Sequence, residues 1–196
     1  MSGLINHLLR PENRTVFNKL KQEIRSSFDR DEDITYERLS RLHWLTAVLE
    51  EGLRIFPSAP IGFTRTVPRG GDTIDDNFIP GGTTVSTCAW AATHSSGNFA
   101  DPCEFRPERW LSREMATDKL AASNPFSLGP RGCIGRNLSY MEQRLLTAKL
   151  LWHNDVEMTD DETWTRWDPA GDHGNMQVFT NWIKPALTVK LTPRKF

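Results

Sequence analysis

Apolar residues recur at helical spacing in several stretches of this chain. Phe17, Leu20, Ile24 and Phe28 fall three and four apart, one face of a helix predicted over residues 11–28, with Pro11 suited to its first turn. A short helical tail is predicted at 4–9, a short helix ending at Leu39 with Thr35 as its cap, and a longer helix over 42–54. Ile134, Leu138, Met141, Leu145, Ala148 and Trp152 trace a further helical face over 134–152. Between these, residues 61–92 are β-branched and broken by glycine, which predicts extended segments; 78–85 reads as a turn joining two of them. Residues 95–130 are rich in Pro, Asn, Ser and Asp and read as a long irregular stretch. Two strands are predicted at 178–182 and 187–191, around Pro185. The pattern is that of a mostly α chain with small β-sheets (α+β).

Composition narrows this little. A chain of 196 residues can bury one core, and 25 acidic against 24 basic residues, net −1, point to no nucleic acid or other polyanion. No run of about 18 apolar residues is present, so no membrane span is predicted, and the N-terminus does not read as a signal peptide. The three cysteines form no C-x-x-C, which argues against a zinc site or a dithiol centre and suggests a reducing compartment. Cys88 and Cys103 read as buried structural thiols, His94 as structural, and Trp90, Trp110 and Trp152 as core rings.

Cys133 is different, because of its loop. Phe126-Ser-Leu-Gly129-Pro-Arg131-Gly132-Cys133-Ile-Gly135 sets a thiol among glycines, with an arginine two residues before it and an amphipathic helix opening after it. Glycines let backbone turn sharply and approach a flat ligand closely. A cysteine at a helix N-terminus, near positive charge, is suited to the thiolate form that metals bind. The pattern F-x-x-G-x-R-x-C-x-G would match by accident in such a chain about once in tens of thousands. It resembles the haem-binding loop of the cytochrome P450 family. That resemblance implies Cys133 as proximal thiolate ligand of haem b (heme b, iron protoporphyrin IX), Arg131 paired with a propionate, Phe126 shielding the sulfur, and Gly129 and Gly135 shaping the loop.

Weaker motifs occur in family order. Glu51-Gly-Leu-Arg54 is an E-x-x-R on the 42–54 helix, a spacing expected by composition about 0.5 times per chain of this size. Phe105-Arg-Pro-Glu-Arg109-Trp110 resembles the family's P-E-R-F/W segment, and together they imply a buried ionic triad of Glu51, Arg54 and Arg109. Arg65 matches an arginine that contacts the second propionate in many members, and 78–85 resembles the family's β-hairpin.

The resemblance spans essentially the whole chain and implies the C-terminal, haem-proximal part of the cytochrome P450 fold, residues 1–196 forming one incomplete domain without the distal helix and N-terminal half. Exposed apolar surface is expected on the helix after Cys133. For the parent protein the family implies a monooxygenase. It would insert one oxygen atom of O2 into a small apolar substrate, with electrons from an NADPH-dependent cytochrome P450 reductase, at an endoplasmic reticulum membrane facing the cytosol. The wording looks closest to filamentous-fungal members of secondary metabolism. The alternative is a truncated, non-catalytic pseudoenzyme that binds haem weakly or not at all.

Overall fold

The computed structural model describes residues 1–111, 117–159, 164, 166–167 and 176–195. Part of the irregular stretch predicted over 95–130, residues 112–116, lies outside the described residues. The described residues form α1 (Ser2–Leu9), α2 (Arg14–Ser27), α3 (Tyr36–Leu39), α4 (His43–Ile55), α5 (Ala89–Thr93) and α6 (Arg136–His153), and all but α5 contribute to the core. The apolar stripe of α2 is buried as its spacing requires: Phe17, Leu20, Ile24 and the following Phe28 are all in the core. They pack with Leu45, Val48 and Leu49 of α4 and with Ala148, Leu151 and Trp152 of α6. Each such fully buried aliphatic side chain contributes about 1.5–3 kcal/mol relative to exposure.

Charged side chains close the helix ends. Leu42, at the N-cap of α4, has no side-chain oxygen to offer, and Glu23 of α2 supplies both of its own: Trp44 N–H and Leu45 N–H donate to its carboxylate at 2.9 and 2.8 Å. An anion there also suits the positive end of the helix dipole. At the other end of α6, Arg25 donates to the carbonyls of Leu151 and Asn154 and to Asp155, and Asp31 binds both Lys149 and His153.

The strands form four two-stranded antiparallel sheets. β1 (Arg65–Thr66) pairs with β4 (Thr84–Val85), and β2 (Asp72–Ile74) pairs with β3 (Asn77–Ile79). The turn at 80–82 therefore joins strands of two different ladders and is not the tip of a hairpin. The hairpin tip is Asp75–Asp76, both at positive φ, the geometry two-residue hairpin turns demand. Two further expectations fail. The segment predicted to stay extended to residue 92 closes into α5, with Cys88 as its N-cap. The strand predicted at 178–182 is a tight pair, β6 (Gln177–Val178) with β7 (Trp182–Ile183). The last predicted strand is observed as β8 (Val189–Pro193), paired with β5 (Asn154–Met158), which follows α6 directly. Nothing local marks β5; its pairing partner lies more than thirty residues away.

The predicted 134–152 helix begins two residues late, at Arg136, with Gly135 as N-cap. Its apolar face is split: Ala148 and Trp152 are buried, whereas Ile134, ahead of the helix, and Leu138 are exposed. Among the described residues no helix is long and apolar enough to cross a membrane.

Candidate active site

Two groups of residues stand back to back across α4. The first is a buried charge cluster. Glu51 and Arg54 are each 0 % exposed and Arg109 is 6 % exposed. One helical turn brings the first two together, Arg54 Nε and Nη2 lying 2.9 and 2.8 Å from the two carboxylate oxygens of Glu51. Arg109 arrives from a 3₁₀ turn at Pro107–Trp110, its Nε 3.4 Å from Glu51 Oε1. The same carboxylate accepts from the Arg106 N–H at 2.8 Å and from the Trp110 indole at 2.9 Å. Arg54 spends its other donors on the carbonyls of Thr93, Pro102 and Glu104. Arg109 reaches Asp118 at 2.6 Å and the Asp101 carbonyl at 2.8 Å. Burial pushes the Asp118 carboxyl upward, but the Ala100 N–H and the Arg109 and Arg106 guanidinium groups outweigh it and hold Asp118 below the usual carboxylate range. The cluster pins α4 to residues 93–110 and to Asp118. Trp110, expected as a core ring, is half-buried because its indole N–H serves the carboxylate; Trp90 is half-buried too, stacked on His94.

The second group is the cysteine loop. Cys133 N–H donates to the Phe126 carbonyl at 2.8 Å and Gly132 N–H to that of Gly129 at 2.9 Å, which folds the loop back on itself. Ser127 and Gly129 take positive φ, 58° and 70°, and these two residues make the turn. Gly135 does not: its φ of −84° suits any residue, and a Cβ there would meet only Cys133 Sγ, at 3.7 Å. The space beside the sulfur is open. Phe126 packs its ring against Tyr140 of α6, centroids 5.0 Å apart.

Cys133 is exposed, as are Cys88 and Cys103, so the expectation that the latter two are buried structural thiols is corrected. Cys88 is exposed because it caps α5, its thiol 3.4 Å from the Pro60 carbonyl. The thiol of Cys133 opens into a cleft of about 1160 Å³. Arg131 and Phe126 line it on the loop side, Arg65 and Val85 on the β1–β4 side, and Leu4, Leu53, Phe56, Phe63 and Trp182 supply apolar walls. The structure thus brings Cys133, Arg131, Phe126 and Arg65 to one cavity, whereas Glu51, Arg54 and Arg109 lie outside it. His94 lies outside it too. Burial, then the nearby Arg54 charge, lowers its pKa to about 4, so it is neutral at pH 7. Among the described residues no group of three or more His, Cys, Asp or Glu is placed to hold a metal ion. One thiol, two guanidinium groups and apolar walls suit a large, flat, anionic ligand.

The sequence reading did not single out Asp118, Asp101 or Phe63. The signal for Asp118 is weak, a lone acid nine residues after Arg109; Phe63 and Trp182 reach the cleft by tertiary folding alone.

Comparison with known proteins is unambiguous in kind. The family model described as Cytochrome P450 matches residues 7–171. The chain is 49% identical over 181 residues to cytochrome P450 monooxygenase aba2 of Botryotinia fuckeliana, covering 90% of this chain and 34% of that protein. It is 46% identical over 184 residues to cytochrome P450 monooxygenase traB of Penicillium crustosum, covering 92% and 35%. It is 43% identical over 196 residues to cytochrome P450 monooxygenase hepD of Aspergillus oryzae, covering 100% and 37%. The chain spans about a third of the length of these curated relatives.

Proposed function

The chain belongs to the cytochrome P450 family, and from that premise we propose that it is the C-terminal, haem-proximal part of a haem-thiolate monooxygenase. Cys133 is the proximal ligand of haem b, and Arg131 and Arg65 pair with its two propionates. The residues fit such a group. A metal that arrives inside a macrocycle needs one axial donor, and the cleft offers one thiol. The open space beside Gly135 leaves room for a ring over the sulfur. When bound, the haem supplies oxygen activation, and a thiolate ligand favours O–O cleavage by donating electron density.

The chain's own residues hold and orient. Gly129 and Ser127 turn the loop so that Cys133 faces the cleft, Phe126 covers the loop's inner side, and the Glu51–Arg54–Arg109 cluster braces the scaffold behind it. The apolar walls exclude water from one flank of the cavity. The reaction proposed is insertion of one oxygen atom into a small apolar substrate in fungal secondary metabolism, with electrons from an NADPH-dependent reductase. The observation that carries this reading is a solvent-facing Cys133 sharing a cavity with two arginines and apolar walls.

The test is the absorption spectrum of the purified chain loaded with haem and reduced under carbon monoxide. A red-shifted Soret band, lost in Cys133→Ala, is the expected result; an unshifted band, or one indifferent to that substitution, overturns the proposal. A second reading, a truncated, non-catalytic chain that binds haem weakly or not at all, draws on the exposure of Ile134 and Leu128 beside the cleft. It predicts weak or no binding when haem is titrated into the purified chain.

A further inference from the structure

α4 carries two neighbouring glutamates that face different tasks. Glu51 belongs to the buried charge cluster. Glu50 points toward α6 and lines a second, smaller cavity of about 420 Å³ behind the cysteine loop, together with His43, Phe126, Arg136 and Tyr140. Glu50 and Tyr140 face each other across this cavity, and each biases the ionisation of the other. The Tyr140 ring is held from several sides. Phe126 packs on it at 5.0 Å, and the guanidinium groups of Arg144 and Arg136 lie 5.2 and 5.9 Å from its centroid. Arg144 is itself buried, its Nε without a hydrogen-bond partner and its Nη2 3.5 Å from Thr46 of α4. Phe126 in turn accepts the Cys133 N–H through its carbonyl. An unbroken set of contacts therefore runs from α4 to the backbone of the cysteine.

We infer that Tyr140 is a positioning residue for the cysteine loop: held between Arg136 and Arg144, its ring fixes Phe126 and so sets the attitude of Cys133. This rests on the reading of Cys133 as the haem ligand, yet it makes a claim about the empty loop as well. Glu50 is the acid that shares the cavity with that ring and with Arg136. Burial raises its pKa, against the pull of Tyr140, Arg144 and Arg136, and the Tyr140 hydroxyl is pushed up to about 12 by burial and then by Glu50. The charged and titratable groups around Glu50 are Arg136, Tyr140 and Arg144 on α6 and His43 on α4, with Tyr36 of α3 behind Arg144. As pH falls and Glu50 takes up a proton, the carboxylate that balances the two arginines is lost.

The experiment has two arms, both on the full 196-residue chain with Cys88→Ser and Cys103→Ser as background. In the haem-free chain, alkylation of Cys133 by iodoacetamide is timed at pH 7.5. Tyr140→Leu is expected to accelerate it about threefold or more, the scale of losing one aromatic pair. Tyr140→Phe, which keeps the ring and removes only the hydroxyl, is expected to accelerate it less. In the haem-loaded chain, the midpoint potential is followed from about pH 5 to 8. Glu50→Gln is expected to raise the potential, because a nearby negative charge disfavours the reduced iron, and to flatten its dependence on pH. Unchanged alkylation in both Tyr140 variants together with an unchanged potential profile in Glu50→Gln overturns the inference. If the carbon monoxide band of the parent is unshifted while alkylation responds to Tyr140, the haem assignment falls and the positioning role stands.

Discussion

The charge cluster around Glu51 and the loop around Cys133 are separated by one helix and are built on opposite terms. In the cluster Glu51, Arg54 and Arg109 are buried, and the Glu51 carboxylate accepts from two arginines, one indole and one backbone N–H. In the loop Arg131, Cys133 and Ile134 are all exposed, and order comes from backbone hydrogen bonds and two positive-φ residues. A buried ion pair is tolerated only when its remaining donors and acceptors are satisfied, so the cluster is closed to ligands. The loop is the reverse: its functional groups face outward. The buried charges lie in the cluster, and the thiol proposed as the haem ligand is left accessible in the loop.

Three measurements break or sharpen that contrast. The largest effect is expected from Glu51→Ala, which leaves the buried guanidinium groups of Arg54 and Arg109 without their carboxylate. A loss of about 3–5 kcal/mol in urea unfolding is expected, or no cooperative transition at all; a loss below about 1 kcal/mol would erase the distinction between the two regions. A smaller effect comes through His94, beside the cluster. Its folded pKa, near 4, lies below the unfolded value of 6.5, so it is neutral in the fold and protonates on unfolding. Its contribution is complete above pH 6.5 and is lost as pH falls from there toward 4, roughly 2 kcal/mol after allowing for its partial exposure. Unfolding free energies measured at pH 7 and pH 4.5 should differ by about that much, and His94→Phe should narrow the difference. The smallest stability effect is expected from Cys133→Ala, within about 0.5 kcal/mol of the parent, as for an exposed side chain without buried contacts. A cost of 2 kcal/mol there would mean that the thiol is a structural element.

The sequence made the loop legible because a sharp, open turn leaves a chemical record in glycine. Gly129 has the positive φ that only glycine adopts cheaply, and the position of Cys133 within the motif needs no tertiary information. The E-x-x-R pair was legible for a similar reason, since an i, i+3 spacing on a helix is a local property. The roles of Asp118 and Trp110 were not: Trp110 is qualified by its bond to Glu51 across more than fifty residues of chain, and Asp118 by its bonds to Arg109 and the Ala100 N–H, which only the fold brings together. The same limit explains the misread strands: β4 could not be assigned to β1, nor β5 to β8, from the alternation within each segment.

What the amino-acid order determined by itself were the apolar face of α2, the presence of α4 and α6, the bend that presents Cys133, and the family to which these motifs belong. Only the tertiary structure decided that Arg65, Arg131 and Cys133 share one cavity, that Glu50 lines the smaller cavity while Glu51 is enclosed in the charge cluster, and that Ile134 and Leu138 lie exposed while Ala148 and Trp152 are buried. The reason is range. Periodicity and backbone preference act over a few residues, whereas burial and charge pairing depend on which distant surface arrives to cover them.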